Sequence, residues 1–261
     1  MSQPVKDLLH DRHRAPAGFC KTIANIPTPY RLKNLCPARN DDSSTKEQSL
    51  GDQHFKVRFA QTDSARAAAT VLVQKRYAWR GYQAGAIQEH PNRITLVTYL
   101  GDQIVGSLNI GYDSPEGLLA DERYREEIAV LRAAGAHVGE ITKLAIDDTA
   151  GSKQVLAGMI NIAYLYGVIH AVTDAVIEVT PRHRPFYERM LAFKQIGGER
   201  FYSASNTNVV LMHITMDEIR KRIEHADVEK PKCKDRSVYP FFFPRDDQDR
   251  ILERLKLGDR A

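Results

Sequence analysis

Arg182-His183-Arg184-Pro185-Phe186-Tyr187-Glu188-Arg189-Met190-Leu191-Ala192-Phe193-Lys194-Gln195-Ile196-Gly197 reads as helix, turn and strand. Pro185 suits the first turn of a helix over 185–191, where a missing N–H leaves nothing unsatisfied. Residues 175–179 before it form a strand that Thr180-Pro181 ends, and 193–196 form the next one. Further back, Val138-Gly139-Glu140-Ile141-Thr142-Lys143-Leu144-Ala145-Ile146-Asp147 is a strand with a carboxylate amid apolar residues. Burying that carboxylate unpaired is costly, so a chain keeps it mostly where it has a task. Period two puts Glu140 and Thr142 on one face, with Lys143 on the other unless a bulge intervenes.

Working outward, Phe55-Lys56-Val57-Arg58-Phe59-Ala60 alternates as a half-buried strand. Asp63 offers a helix start, and Ala65, Ala68, Ala69, Leu72 and Val73 recur at helical spacing toward Tyr82. Two strands, 93–100 and 103–110, meet at the turn signal Gly101-Asp102. A helix over 118–134 precedes the Glu140 strand. The stretch 155–168 is apolar nearly all round and predicts a buried helix. A strand over 209–215 and a helix over 217–224 follow. The order β-α-β-β-α-β-α-β-α-β-β-α, with no internal repeat, gives an α/β (α+β) class: one mixed sheet with helices on both faces.

The chain has 261 residues, and its 37 basic and 33 acidic side chains leave a net charge of +4. Residues 1–50 hold a net +3, residues 226–261 a net +1, and 51–225 none. The basic surplus thus lies in the flanks, which argues against a nucleic-acid-binding core. Residues 1–50, with five prolines and a polar run at 40–45, read as a flexible arm, with part of 19–36 draped on the domain. Residues 51–225 are the folded domain. Residues 226–261 are a second arm, in which Tyr239-Pro240-Phe241-Phe242-Phe243-Pro244 packs onto the domain ahead of a short charged helix. No apolar run spans a bilayer and no signal-peptide core opens the chain, so a cytoplasmic protein is expected. Cys20, Cys36 and Cys233 are far apart, and neither a metal site nor a disulfide framework is expected. A GxSxG elbow and a Walker A loop are absent.

The segment from Arg182 to Gly197 resembles the Phe-Tyr-Glu signature of the GCN5-related N-acyltransferase superfamily. Gly-Glu-Ile-Thr-Lys at 139–143 is similar to the Glu-Ile-Ser-Arg stretch of acyl-homoserine-lactone synthases. Together with the Phe-Tyr segment, it resembles the long-chain N-acyl amino acid synthases, a sister family with the same fold. The resemblance covers about 55–225 and implies a GNAT-like acyl-CoA N-acyltransferase fold. It also implies transfer of a fatty acyl group from a thioester to an amine, most simply the amino group of an amino acid. Glu140 is expected to assist deprotonation of the amine, backbone near Thr142, Lys143 and Leu144 to hold the oxyanion, and Tyr187 to protonate the leaving thiolate. Neither a bound cofactor nor a metal is called for.

The superfamily's diphosphate-binding loop is replaced here by Asp147-Asp148-Thr149-Ala150-Gly151-Ser152-Lys153-Gln154, where two acids precede the single glycine. A CoA diphosphate meets a weak cradle and like charge there. The donor implied is therefore acyl carrier protein, bearing the acyl group on phosphopantetheine, ahead of acyl-CoA. Lys153, Arg182, Arg184 and Arg189, with His183, form the expected basic docking patch for that acidic carrier. Trp79 and Met159, with Leu72, Tyr82, Ile160 and Tyr164, are expected to line a slot for the acyl chain. Glu178 is expected in a structural ion pair. The competing readings are a lactone-forming signal synthase, a CoA-dependent acetyltransferase, and a non-catalytic acyl- or carrier-binding module.

Overall fold

The computed structural model describes residues 22–27, 54–150, 153–228 and 236–258. Ala24–Pro27 (β1), His54–Phe59 (β2), Arg93–Leu100 (β3) and Gln103–Tyr112 (β4) run antiparallel in turn. Val138–Ile146 (β5) adds antiparallel to β4, and Asp174–Val179 (β6) adds parallel to β5. Thr207–Thr215 (numbered β9, after Lys194–Gln195, β7, and Arg200–Tyr202, β8) pairs antiparallel with β6, β7 and β8. The sheet order is β1-β2-β3-β4-β5-β6-β9-β7. β1 lies in the stretch read as an arm: Ile23 and Ile26 bury their side chains, and Ala24–Pro27 takes the edge beside β2. β8 is short and was not legible as a strand.

Side-chain alternation divides the sheet into two faces. Ala175, Ile177 and Val179 pack with Lys153–Ile169 (α3), whereas Val176 packs with Asp121–Ala133 (α2). Asp63–Ala78 (α1) covers Val97 and Ala145. The expected mixed sheet with helices on both faces is the fold observed. No helix among the described residues is long and apolar enough to cross a membrane.

Two helices depart from their sequence spans in ways that shape the site. α1 stops at Ala78, because Gly81 takes a φ of 78° and the Tyr82 amide donates back to the Tyr77 carbonyl. Only glycine adopts that backbone cheaply, and a helix stop of this kind is its common use. α2 starts at Asp121 instead of Leu118, and Ala120 at its cap offers no side-chain acceptor. The amides of Leu119 and Ala120 donate instead to Glu140 on β5, at 2.9 and 3.2 Å.

After Met216–Val228 (α5), residues 236–258 lie against the core. Val238, Tyr239 and Phe242 are buried, and Arg245–Gly258 (α6) packs on α3 through Ile251 and Leu255. One polar residue on the buried α3 holds this segment in place. Asn161 accepts from the Phe243 amide at 3.1 Å and donates to Gln248 at 3.3 Å. Asn161→Leu leaves that amide unsatisfied, and unfolding free energy is expected to fall by about 1–3 kcal/mol. Hydrogen exchange at Phe243 should accelerate in the same variant, and unchanged protection there would contradict the anchor.

Candidate active site

The register of β5 with β6 covers 138–141 against 174–177 and goes no further. β5 continues to Ile146 and β6 to Val179, so the two strands separate. A cavity of about 200 Å³ fills the opening. Its walls are residues 142–146 of β5, Glu178 and Val179 of β6 with Thr180 after it, His183, Phe186 and Tyr187, and Tyr77 of α1 with Arg80 and Tyr82 just beyond its end. Arg184–Leu191 (α4), which carries Phe186 and Tyr187, begins just after β6 ends.

The β5 wall carries a bulge. Thr142 pairs with Asn109 and Ala145 with Ser107, so Lys143 and Leu144 stand opposite the single residue Leu108. Lys143 has a φ of 51°, a left-handed conformation that costs a side-chain-bearing residue about 1–2 kcal/mol. Strain of this kind persists where surrounding structure enforces it, and it concentrates at functional sites. The bulge cancels the strict alternation, and Thr142, Lys143 and Leu144 all reach the cavity. The Lys143 ammonium turns aside to donate to the Ala86 carbonyl at 2.7 Å. Burial, with Arg93 nearby, lowers its pKa. β6 does not pair with residues 142–146, which leaves that edge of β5 without a strand among the described residues.

Tyr187 is partly buried, and burial pushes its phenol up to about 12 against a smaller opposing pull from Arg80. It therefore keeps its proton across the physiological range. His183 was counted among the basic residues, but the structure reverses that. Burial first, then Arg80 and Arg182, lower its pKa to about 4, so the ring is neutral. Its Nδ1 lies 2.8 Å from the Thr180 hydroxyl.

Glu140 does not line this cavity. It is 2% exposed; its two oxygens accept the Leu119 and Ala120 amides, and Arg93 Nε stands 3.5 Å away. Burial raises its pKa against these partners. Alternation places it on the α2 face, where it caps a helix. Glu178 does reach the cavity, and Arg123 of α2 grips it through two hydrogen bonds of 2.6 Å.

Two residues expected in the acyl slot lie elsewhere. Trp79 is 73% exposed, with its ring beneath the guanidinium groups of Arg76 and Arg80, because α1 has ended by then and the side chain faces outward. Met159 is fully buried on α3, with its sulfur against Gly106, and serves the core. Of the other slot residues, Tyr82 reaches the cavity, while Ile160 and Tyr164 line a separate apolar void of about 40 Å³. Arg182, Arg184 and Arg189 are exposed around α4; Arg184 meets Glu188 at 3.4 Å and Gln195 at 2.9 Å. Lys153, at the start of α3, lies 4.7 Å from the Phe241 ring centroid.

Residues 68–215 match the family model described as N-acyl amino acid synthase FeeM. Among solved structures, FeeM, an N-acyl amino acid synthase from uncultured soil microbes, aligns at 25% identity over 65% of this chain and 95% of its own, with a TM-score of 0.59. The AHL synthase LasI aligns at 13% identity over 63% of this chain and 91% of its own, with a TM-score of 0.46. An acetyltransferase of the GNAT family from Streptococcus pneumoniae aligns at 16% identity over 62% and 98% of the two chains, with a TM-score of 0.41. No curated protein matches the chain.

The His183 ring is expected to titrate near pH 4, read from its Cε1–H resonance, and Arg80→Gln should move the midpoint up. Since the unfolded ring titrates near 6.5, the histidine's contribution turns destabilising as pH falls from about 6.5 toward 4. A midpoint at or above 6 would contradict this environment.

Proposed function

The chain belongs to the FeeM family of N-acyl amino acid synthases and is an N-acyltransferase, and we propose that it moves a fatty acyl group from acyl carrier protein to the amino group of an amino acid. The observation that carries this reading is the opened β5–β6 seam, with a bulged strand on one wall and the protonated Tyr187 on another. A thioester laid in that seam presents its carbonyl oxygen to the amides around Lys143 and Leu144. Fixed donors of this kind favour the tetrahedral intermediate because they are aimed before charge develops. Thr142 lines the same wall and supplies a hydroxyl beside the reacting carbon.

The amine nitrogen attacks the carbonyl carbon, the intermediate collapses with loss of the C–S bond, and Tyr187 delivers a proton to the thiolate. Once the C–N bond forms, the nitrogen's proton becomes acidic, and a weak neutral base suffices to take it. His183 is neutral on the wall and fills that role. Glu140 acts as a positioning residue: by capping α2 it fixes Arg123, which holds Glu178 on the cavity wall.

A carrier-bound donor accords with the segment after β5. Asp147 and Asp148 are paired with Lys75 at 3.5 Å and Arg76 at 2.5 Å, which leaves little cationic character for a CoA diphosphate. The exposed arginines around α4 suit an acidic carrier instead. The protein works within a cytoplasmic context in this reading, with no nucleic-acid partner.

Tyr187→Phe is expected to lower kcat by about 10²-fold. Glu140→Gln is expected to reduce stability yet keep kcat within about tenfold; a loss of about 10²–10⁴ would make it the base after all. Reversing Arg182 and Arg184 to Glu should raise the KM for acyl carrier protein thioester about tenfold and leave that for acyl-CoA alone. Equal effects on both donors would remove the docking patch from the scheme.

A further inference from the structure

Three cationic side chains reach the wall of the β5–β6 cavity: Arg76, Arg80 and Lys143. Arg76 is neutralised by Asp148 at 2.5 Å. Lys143 donates to the Ala86 carbonyl at 2.7 Å. Arg80 differs. Its Nε is buried with no hydrogen-bond partner, and among the described residues no carboxylate forms an ion pair with it. Its guanidinium carbon lies 5.9 Å from the centroid of the Trp79 ring. A buried donor left unmade, on a group that carries a full charge, is expensive to keep. Such a group is retained where a ligand arrives with the missing anion.

Position separates the two anions that the reaction brings. Arg80, His183 and Tyr187 line the same cavity, so the arginine faces the proposed reacting centre. In a phosphopantetheine thioester the phosphate sits at the far end of the arm from the sulfur. In an amino acid the carboxylate sits one carbon from the attacking nitrogen. The gap between Tyr187 and His183 is where that nitrogen must be. Other arginines are placed elsewhere: Arg58 donates to Thr22 and stacks on Tyr99, Arg123 is held by Glu178, and Arg182 is exposed outside the cavity.

We infer that Arg80 binds the α-carboxylate of the acceptor and so selects amino acids over simple amines. This rests on the reading of the chain as an N-acyltransferase that acts on amino acids. The contact holds the carboxylate so that the amine faces the thioester carbon, and it accounts for the arginine's unfilled Nε. No local pattern marks it, because Arg80 sits beyond the helix end, among ordinary surface-type residues.

The test compares an amino acid with its neutral α-amide as acceptors, with fatty acyl carrier protein as donor, in wild type, Arg80→Met and Arg80→Lys. Wild type should prefer the amino acid by about 10–100-fold in kcat/KM, the range of a charge-assisted hydrogen bond. Arg80→Met should raise the KM for the amino acid by the same factor and bring the ratio of the two acceptors near one. Arg80→Lys, which keeps the charge and guards against a folding defect, should restore part of the preference. A wild type that uses amide and amino acid equally overturns the inference while the acyltransferase reading stands. So does an Arg80→Met effect confined to the KM of the donor, which would assign the arginine to the phosphate. A wild type that acylates no amine overturns the reading and the inference together.

Discussion

The early end of one strand pairing governs this molecule. β5 and β6 are the sheet's single parallel neighbours among the described strands, and they share only four residue pairs before they part. Past that point each strand exposes an edge that would ordinarily be unpaired and unstable in a sheet's interior. The opening persists because other elements hold its sides. α1 ends beside it at Ala78, just before Gly81, α4 begins where β6 stops, and β4 keeps its grip on β5 through the bulge. What would be a defect in a continuous sheet becomes a cavity lined by β5, β6, α4 and the end of α1.

Two buried carboxylates keep the walls in place, and both act through α2. Glu140 ties the helix start to β5, and Arg123, one turn into the helix, ties it to Glu178 on β6. Neither acid is free to move, and each is compensated where it is buried, which is the condition under which buried charge is tolerated. α2 thus bridges the two strands that separate. The C-terminal segment does a comparable task on the opposite face. There Asn161, fully buried on α3, fixes Phe243 and Gln248 against it.

Much of this was legible in the residues. The hairpin turn at Gly101-Asp102, the apolar run of α3 and the strand over 138–146 are local signals, and each fell where the structure has it, apart from the bulge that breaks the alternation of β5. Thr142, Lys143, Leu144 and Tyr187 were marked by the strand and the Phe-Tyr segment, and the fold brings all four to one cavity. Glu140 was marked equally strongly, but a buried acid in a strand has the same appearance whether it faces a substrate or a helix end. Trp79 and Met159 misled for a related reason. Large apolar residues at helical spacing look alike in the core, on the surface and in a binding slot, and only burial separates them.

The sequence by itself determined the class of the sheet, the order of its elements and the segments that carry the chemistry, because those follow from periodicity and from turn and helix-end residues a few positions apart. The tertiary structure alone decided which side chains meet. It turned His183 from a surface cation into a neutral ring, gave Glu140 to a helix start twenty residues away, and left Arg80 in the cavity with an unfilled donor. Protonation, partnership and exposure depend on groups distant along the chain, and no local pattern encodes them.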